Sequence, residues 1–271
     1  MSGTPQPPNA RPDHALIERQ RRHFDSIAAD YAHQRSHPNH RLVKQLFWAH
    51  FLSRHRHNGI RCQRVLEPMC GLGEGHDILL EHLCPGGFDY HGFDWSAAMV
   101  DAAHAQRAQL DIDHGDASRF EADGRLWDFI VLIGGLHHVY AHSADVLARL
   151  TSALSRGGYF LSFEPTQACG LTRWIRQRIY RRNAVFDAES EQGFDLDQLE
   201  LMFAQQAYRK VDQVHVGLSA YVLYYNPDAF PWLNRGGPWT VRAAFWLDRL
   251  VWRSALGRRL SFATITLWQK N

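Results

Sequence analysis

Apolar positions recur along this chain with two different periods, and the change from one to the other marks its organisation. From about residue 14 to 35, Leu16, Phe24, Ile27, Ala28 and Tyr31 fall near a 3.6-residue spacing and predict an amphipathic helix. A second helix is predicted over about 40–57, carrying Leu42, Leu46, Phe47 and Phe51. Short apolar runs then take over at 64–67, 90–94, 111–114, 129–134 and 159–164. Between them lie helical stretches at 75–83, 96–108 and 143–155. Strands that alternate with helices predict βαβ units and a parallel sheet.

Beyond Pro165 the pattern loosens. Leu171, Ile175 and Ile179 make one apolar stripe on a predicted helix, and a further helix is predicted over 195–206 from an Asp195 cap. The stretch 259–269 is rich in β-formers and suits a last strand. Residues 239–252 are apolar on more than one side, which fits packing on the sheet, a homodimer contact or contact with a membrane surface. The first 13 residues are polar and Pro-rich and read as a tail.

Composition adds limits rather than direction. With 45% hydrophobic and 21% charged residues the chain is an ordinary globular one, and a net charge of +2 does not argue for nucleic acid. Its N-terminus lacks the apolar core of a signal peptide, and no stretch approaches the ~18–20 apolar residues of a membrane span. The four cysteines (Cys62, Cys70, Cys84, Cys169) form no regular framework, so reduced thiols and a soluble, cytoplasmic protein are expected. The histidines His37, His40, His50, His55 and His57 do not repeat at i, i+4 and have no carboxylate among them, so no metal site is expected.

Candidate chemistry begins at RVLEPMCGLGEGHD, residues 64–77. A strand ends in an acid, Glu67, and runs into a turn with Gly71, Gly73 and Gly75, where a ligand can lie against the backbone at a helix N-terminus. Asp94 closes the next strand, where an acid can accept both hydroxyls of a ribose; it is equally placed to cap the following helix. Asp116 and Ala117 follow the third strand, and WDFIVLIGGLHHV leads from the fourth to Ile133, Gly134, His137 and His138. All lie at the carboxyl ends of successive strands, where open α/β sheets bind ligands. A dinucleotide fits less well, because the third glycine of G-x-G-x-x-G is misplaced: counting from Gly71, that position holds His76.

Together, VLEPMCGLGEG, HGFDWSAAMVDAA, HGDA, WDFIVLIGGLHHV and LSRGGYFLSFEP resemble class I S-adenosylmethionine-dependent methyltransferases, most of all the broad group of ubiquinone and menaquinone biosynthesis enzymes. The resemblance spans about residues 64–165, with Pro68–Met69 in place of the usual Leu-Gly or Ile-Gly. It implies a Rossmann-like, doubly wound α/β sheet of seven strands, six parallel and the last antiparallel. A helical lid would occupy 14–58, and the methyltransferase domain 59–271 would carry a lid insertion at about 166–258. S-adenosylmethionine would be bound by Glu67, Gly71 and Gly73 at its amino-acid end and by Asp94 at its ribose. Trp95 and Met99 would flank the adenine, Asp116 and Ala117 would meet its edge, and Ile133, Gly134 and Tyr31 would complete the site; S-adenosylhomocysteine would be the product.

Methyl transfer from a sulfonium mainly needs alignment, plus a base where the acceptor must lose a proton. His137 and His138 stand where a base would help, although either would also serve as a packing residue. Nucleic-acid methylation is disfavoured: Gly134–Gly135–Leu136–His137 stands where amino-methyltransferases of bases carry Asn/Asp-Pro-Pro-Tyr, and no Pro-Cys nucleophile follows. Aromatic density after Pro165 suits an apolar or aromatic small-molecule acceptor, or equally an aromatic-rich core. Arg173, Arg176, Arg178, Arg181 and Arg182 could meet an anionic group such as a carboxylate or phosphate, but they spread around their helix as on a solvated face. The alternative to an enzyme is a non-catalytic S-adenosylmethionine-binding regulatory or scaffold protein.

Overall fold

A computed structural model describes residues 21–22, 25, 35–180, 192–227 and 230–271. Most of the predicted first helix, the N-terminal tail and Tyr31 lie outside them; within that helix Arg21, Arg22, Asp25 and Arg35 are described, and all four are helical. Helix α1 (Pro38–Leu52) starts with proline at its first turn, where no N–H is needed, and His37 Nδ1 accepts the Asn39 N–H at 3.1 Å. It buries Val43, Phe47, Trp48 and Phe51, and ends earlier than the 40–57 pattern suggested.

Strands β1 (Arg64–Pro68), β2 (Asp89–Asp94), β3 (Ile112–His114), β4 (Trp127–Ile133) and β5 (Leu154–Gln167) fall on the five apolar runs. Helices α2 (Glu74–His82), α3 (Ala97–Gln106) and α4 (Ser143–Ala153) lie between them. After β5 come α5 (Gly170–Tyr180), β6 (Phe194–Asp195), α6 (Leu196–Gln205), β7 (Tyr208–Val214), α7 (Ser219–Tyr224), α8 (Pro238–Arg249), α9 (Ala255–Leu260) and β8 (Ala263–Lys270). Asp195 caps α6 as its sequence suggested, accepting the Asp197 N–H at 3.1 Å.

The sheet order is β3-β2-β1-β4-β5-β8-β7, with β8 antiparallel to both neighbours and the others parallel. That is the expected seven strands. The two-residue β6 adds an eighth by pairing with the end of β5, Thr166 opposite Phe194. Strand, helix and strand at β6, α6 and β7 therefore lie within the 166–258 span and build sheet as well as cover.

Strand periodicity divides the core. Val65, Phe129, Val131 and Leu161 face one layer with Trp48 and Phe47, while Leu66, Ile130, Leu132 and Phe160 face the other with Leu147 and Phe203. Strands buried on both faces read as continuous apolar runs, which is why they stand out in the sequence. The chain leaves β1 toward β2 and β3, then returns to β4 on the other side of β1. That reversal opens a crevice at the carboxyl ends of β1 and β4.

The cysteine expectation needs correction. Cys62, just before β1, and Cys84, just after α2, are joined in a disulfide, leaving Cys70 and Cys169 as free thiols. The βα unit folds back on itself and brings the two together, a proximity that their spacing does not reveal.

Candidate functional site

The turn after β1 is shaped by left-handed backbone at Gly71 (φ 52°) and Gly73 (φ 73°), and Gly73 starts α2 without a capping side chain. A Cβ on Gly73 would stand 2.9 Å from Ile112 Cδ1. Behind the turn, Glu67 is buried, accepting the Gly75 N–H at 2.9 Å and the Tyr90 O–H at 2.6 Å. Burial pushes its carboxyl up to about 7, while both donors pull it back down.

Asp94, buried at the end of β2, accepts the Gly71 N–H on Oδ2 at 2.9 Å and the Ser96 N–H on Oδ1 at 3.0 Å. Burial raises its pKa against these two bonds. The cap of α3 is Ser96, whose Oγ accepts the Met99 N–H at 3.2 Å. Asp94 is therefore released from helix capping and ties the β1 turn to the β2 end.

On the other side of the crevice, β4 ends in Ile133 and runs through Gly134 (φ 67°) and Gly135 into a 3₁₀ segment, Leu136–His142. The segment is held by Glu164 at the end of β5, whose side chain is fully buried. One carboxylate oxygen accepts the Gly135 and Leu136 N–H groups at 3.2 and 3.0 Å; the other meets the His137 N–H at 3.3 Å and His137 Nδ1 at 3.1 Å. Burial lifts Glu164 to about 7, opposed by these donors and by the nearby His138. The rings of His137 and His138 lie 3.9 Å apart, centre to centre.

These ends surround a cavity of about 480 Å³, within the ~300–1,000 Å³ of small-molecule sites. Glu67, Gly71, Asp94, Trp95, Met99, Ile133, Gly134, His137 and His138 all line it. Gly73, Asp116 and Ala117 do not. Gly73 shapes the turn behind the wall, Asp116 accepts the Ser118 N–H and O–H at 2.8 and 2.7 Å in its own turn, and Ala117 is buried in the core beside Leu66 and Ile130.

Sequence reasoning missed Glu164 and the cavity residue Arg35, and it ranked an anion-binding role for Arg176 behind a solvated one. Glu164 closes the apolar run of β5 as Glu67 closes that of β1, and that parallel was the available signal. Arg35 and Arg176 both line the cavity; Arg35 donates to the Tyr225 carbonyl at 3.2 Å, and Arg176 to those of Thr166, at 3.0 Å, and Phe262. Arg176 is only 7% exposed, unlike Arg173 and Arg178 on the outer side of α5, so the solvated-face reading fails for it alone among the three; Arg181 and Arg182 lie outside the described residues. Glu74, also on the wall, pairs with Lys44. Against the cost of burial, Lys44, with help from Arg35, holds the Glu74 carboxyl down to about 2. The far wall is apolar: Phe163, Ile175, Ile179, Tyr221, Phe230 and Trp232.

A methyltransferase-domain family matches residues 31–213. No curated protein sequence matches. Among solved structures, magnesium protoporphyrin IX methyltransferase (ChlM) from Synechocystis PCC 6803 with bound SAH has a TM-score of 0.59 at 12% identity, covering 96% of this chain and 100% of that one. An S-adenosylmethionine-dependent methyltransferase from Clostridium acetobutylicum ATCC 824 has a TM-score of 0.55 at 12% identity, covering 86% and 92%. The [4+2]-cyclase SpnF has a TM-score of 0.53 at 15% identity, covering 84% and 80%. The chain belongs to the methyltransferase-domain family, and its fold is that of the class I S-adenosylmethionine-dependent methyltransferases.

Proposed function

We propose that the cavity takes S-adenosylmethionine on the β1–β2 side and a small apolar or aromatic acceptor against the far wall. The observation that carries the reading is Asp94. A carboxylate has about four acceptor positions. Gly71 and Ser96 use one on each oxygen, leaving one on each for the two hydroxyls of a ribose. Glu67 and the Gly71 backbone would hold the amino-acid end, with Trp95 and Met99 against the adenine. When bound, S-adenosylmethionine supplies an electrophilic methyl group on a sulfonium.

The chain's own contribution is alignment and proton handling. Well-oriented reactants can lower a barrier by ~7–11 kcal/mol. When ionised, Glu164 would fix the His137 ring by accepting from Nδ1–H, the tautomer with its lone pair on Nε2. His137 would then act as the base for an acceptor that must lose a proton, a role typically worth ~10²–10⁴-fold. The apolar far wall suits an aromatic or aliphatic body, and Arg35 and Arg176 give that side positive charge for a carboxylate or phosphate on the acceptor.

Calorimetric titration of S-adenosylmethionine into wild type and Asp94→Asn tests the reading. Wild type should bind in the micromolar range, with affinity at least ~10-fold weaker in the variant, as for a lost pair of charge-assisted hydrogen bonds. A folded wild type that does not bind would sink the proposal. Release of S-adenosylhomocysteine that depends on an added acceptor separates an enzyme from a protein that only holds the cofactor.

A further inference from the structure

Helix α8 carries two apolar faces. Val241, Ala244 and Phe245 are buried against the core. On the opposite side Trp239, Trp246 and Leu247, with Leu250 at the C-cap, are 86, 52, 66 and 79% exposed. At 3.6 residues per turn these four fall in one outward stripe. Among the described residues no helix is long and apolar enough to cross a membrane, so a buried span does not account for them.

The charge around the stripe is one-sided. Arg242 and Arg249 follow one edge of it, and the Arg249 guanidinium sits 4.1 Å from the Trp246 ring centre. Among the described residues no acid pairs with either arginine. Asp248 is the sole acid from Trp239 to Asn271, and it is turned inward to accept the Ser219 O–H at 2.7 Å and the Ala220 N–H at 2.6 Å. Helix α1 packs beside α8, and the sequence from Ser36 to Leu66 contains no acid at all. Burial and the guanidinium groups of Arg249, Arg253 and Arg54, opposed by Asp212, lower the His50 pKa beneath this face.

We propose that the outer face of α8 docks on an anionic phospholipid bilayer, with Trp239, Trp246, Leu247 and Leu250 in the headgroup–acyl boundary and Arg242 and Arg249 on lipid phosphates. Tryptophan and arginine together suit that boundary, because one end of each side chain is apolar and the other wet or charged. A second copy of the chain suits the face less well. A two-fold contact sets the same patch against itself, bringing arginines together with no acid on the patch to receive them. Trp232 ties the face to the cavity, since it lines the cavity, is 65% exposed, and lies in the segment that runs into α8. The docking does not depend on the cofactor reading.

The test is co-sedimentation of the full-length protein with vesicles of phosphatidylcholine, with and without phosphatidylglycerol. Wild type should bind the anionic vesicles and be released by salt. Trp239→Ser/Trp246→Ser/Leu250→Ser should lose binding, and Arg242→Gln/Arg249→Gln should weaken it by roughly tenfold or more. Leu201→Ser, an exposed leucine on α6, should leave it unchanged. Thermal unfolding checks that each variant is folded, and the arginine pair keeps the test open if the triple variant is not. Failure of wild type to bind anionic vesicles, or equal binding to neutral ones, overturns the proposal. So does a wild-type dimer in sedimentation that the triple variant converts to monomer, which would assign the face to a second copy.

Discussion

Gly75 offers a perturbation whose sign is decided by two opposing effects. It lies in the first turn of α2 and has no positive φ, so alanine would ordinarily be welcome there, worth up to ~1 kcal/mol over glycine in a helix interior. A Cβ built at this position would stand 2.6 Å from Glu67 Oε1 and 2.7 Å from Oε2. The β1 backbone cannot retreat, because it is paired with β2 on one side and β4 on the other. Relief must come from the carboxylate, which would give up the Gly75 N–H, the Tyr90 O–H or both. Bonds to a charged acceptor are worth ~1.5–3 kcal/mol each, and a stranded buried tyrosine hydroxyl adds to the loss. Gly75→Ala should therefore lose roughly 1–4 kcal/mol in urea denaturation and melt a few degrees lower. It should also weaken S-adenosylmethionine binding, since Glu67 would leave its place on the cavity wall. Gly86→Ala is the control: its Cβ would meet nothing within 4 Å, so the change should lie within ~0.5–1 kcal/mol of wild type, on the stable side. If Gly75→Ala is as stable as wild type or more so, the pinned-carboxylate argument is wrong.

Glu164→Gln can keep acceptors on one side of its amide only, so two of the four donors around it lose their partner. It should cost about 2–4 kcal/mol in urea denaturation at pH 8, and it should lower turnover more than cofactor affinity by freeing the His137 ring. His40 is buried, and its pKa is lowered to about 3 by burial, then by Arg35 and Lys44. The unfolded chain then binds the proton more tightly, so stability falls as pH drops below ~6.5, by about 2 kcal/mol between pH 7 and pH 5. His40→Gln retains a donor for the Tyr225 carbonyl, met by Nδ1 at 2.7 Å, and should remove that much of the acid slope; an unchanged slope in paired urea titrations would count against it.

Legibility in the sequence followed burial. Strand β4 was visible because both its faces are covered and its side chains are apolar almost throughout; β1 and the 159–164 part of β5 carry shorter buried apolar runs, each closed by an acid. Glu67 and Asp94 stood out because an acid ending such a run is costly unless something receives it. Glu164 ends a run in the same way, yet its partners are backbone N–H groups of a segment far away in sequence, which no local pattern encodes. Arg176 looked like its solvated neighbours on α5, since only the tertiary position of that helix decides which arginine turns inward. Asp116 and Ala117 sat at the right strand end, but Asp116 Oδ1 accepts within its own turn and neither residue lines the cavity. The Cys62–Cys84 pairing and the two-residue β6 were equally out of reach, because both depend on chain return rather than on periodicity.

The position of β8 has a consequence for how the protein is made. Strand β7 pairs, among the described residues, only with β8, and β5 takes β8 along the edge that faces away from β4. A growing chain completes β7 and then lays down α7, α8 and α9 before the strand that joins it to the sheet. At ~5–20 residues per second, that interval lasts roughly 3–11 s. Throughout it, the β5 edge around Phe160, Leu161 and Phe163 offers unpaired N–H and C=O groups to any extended segment nearby. A nascent chain stalled in this window is a half-built sheet with a sticky border, and chaperone demand should peak there.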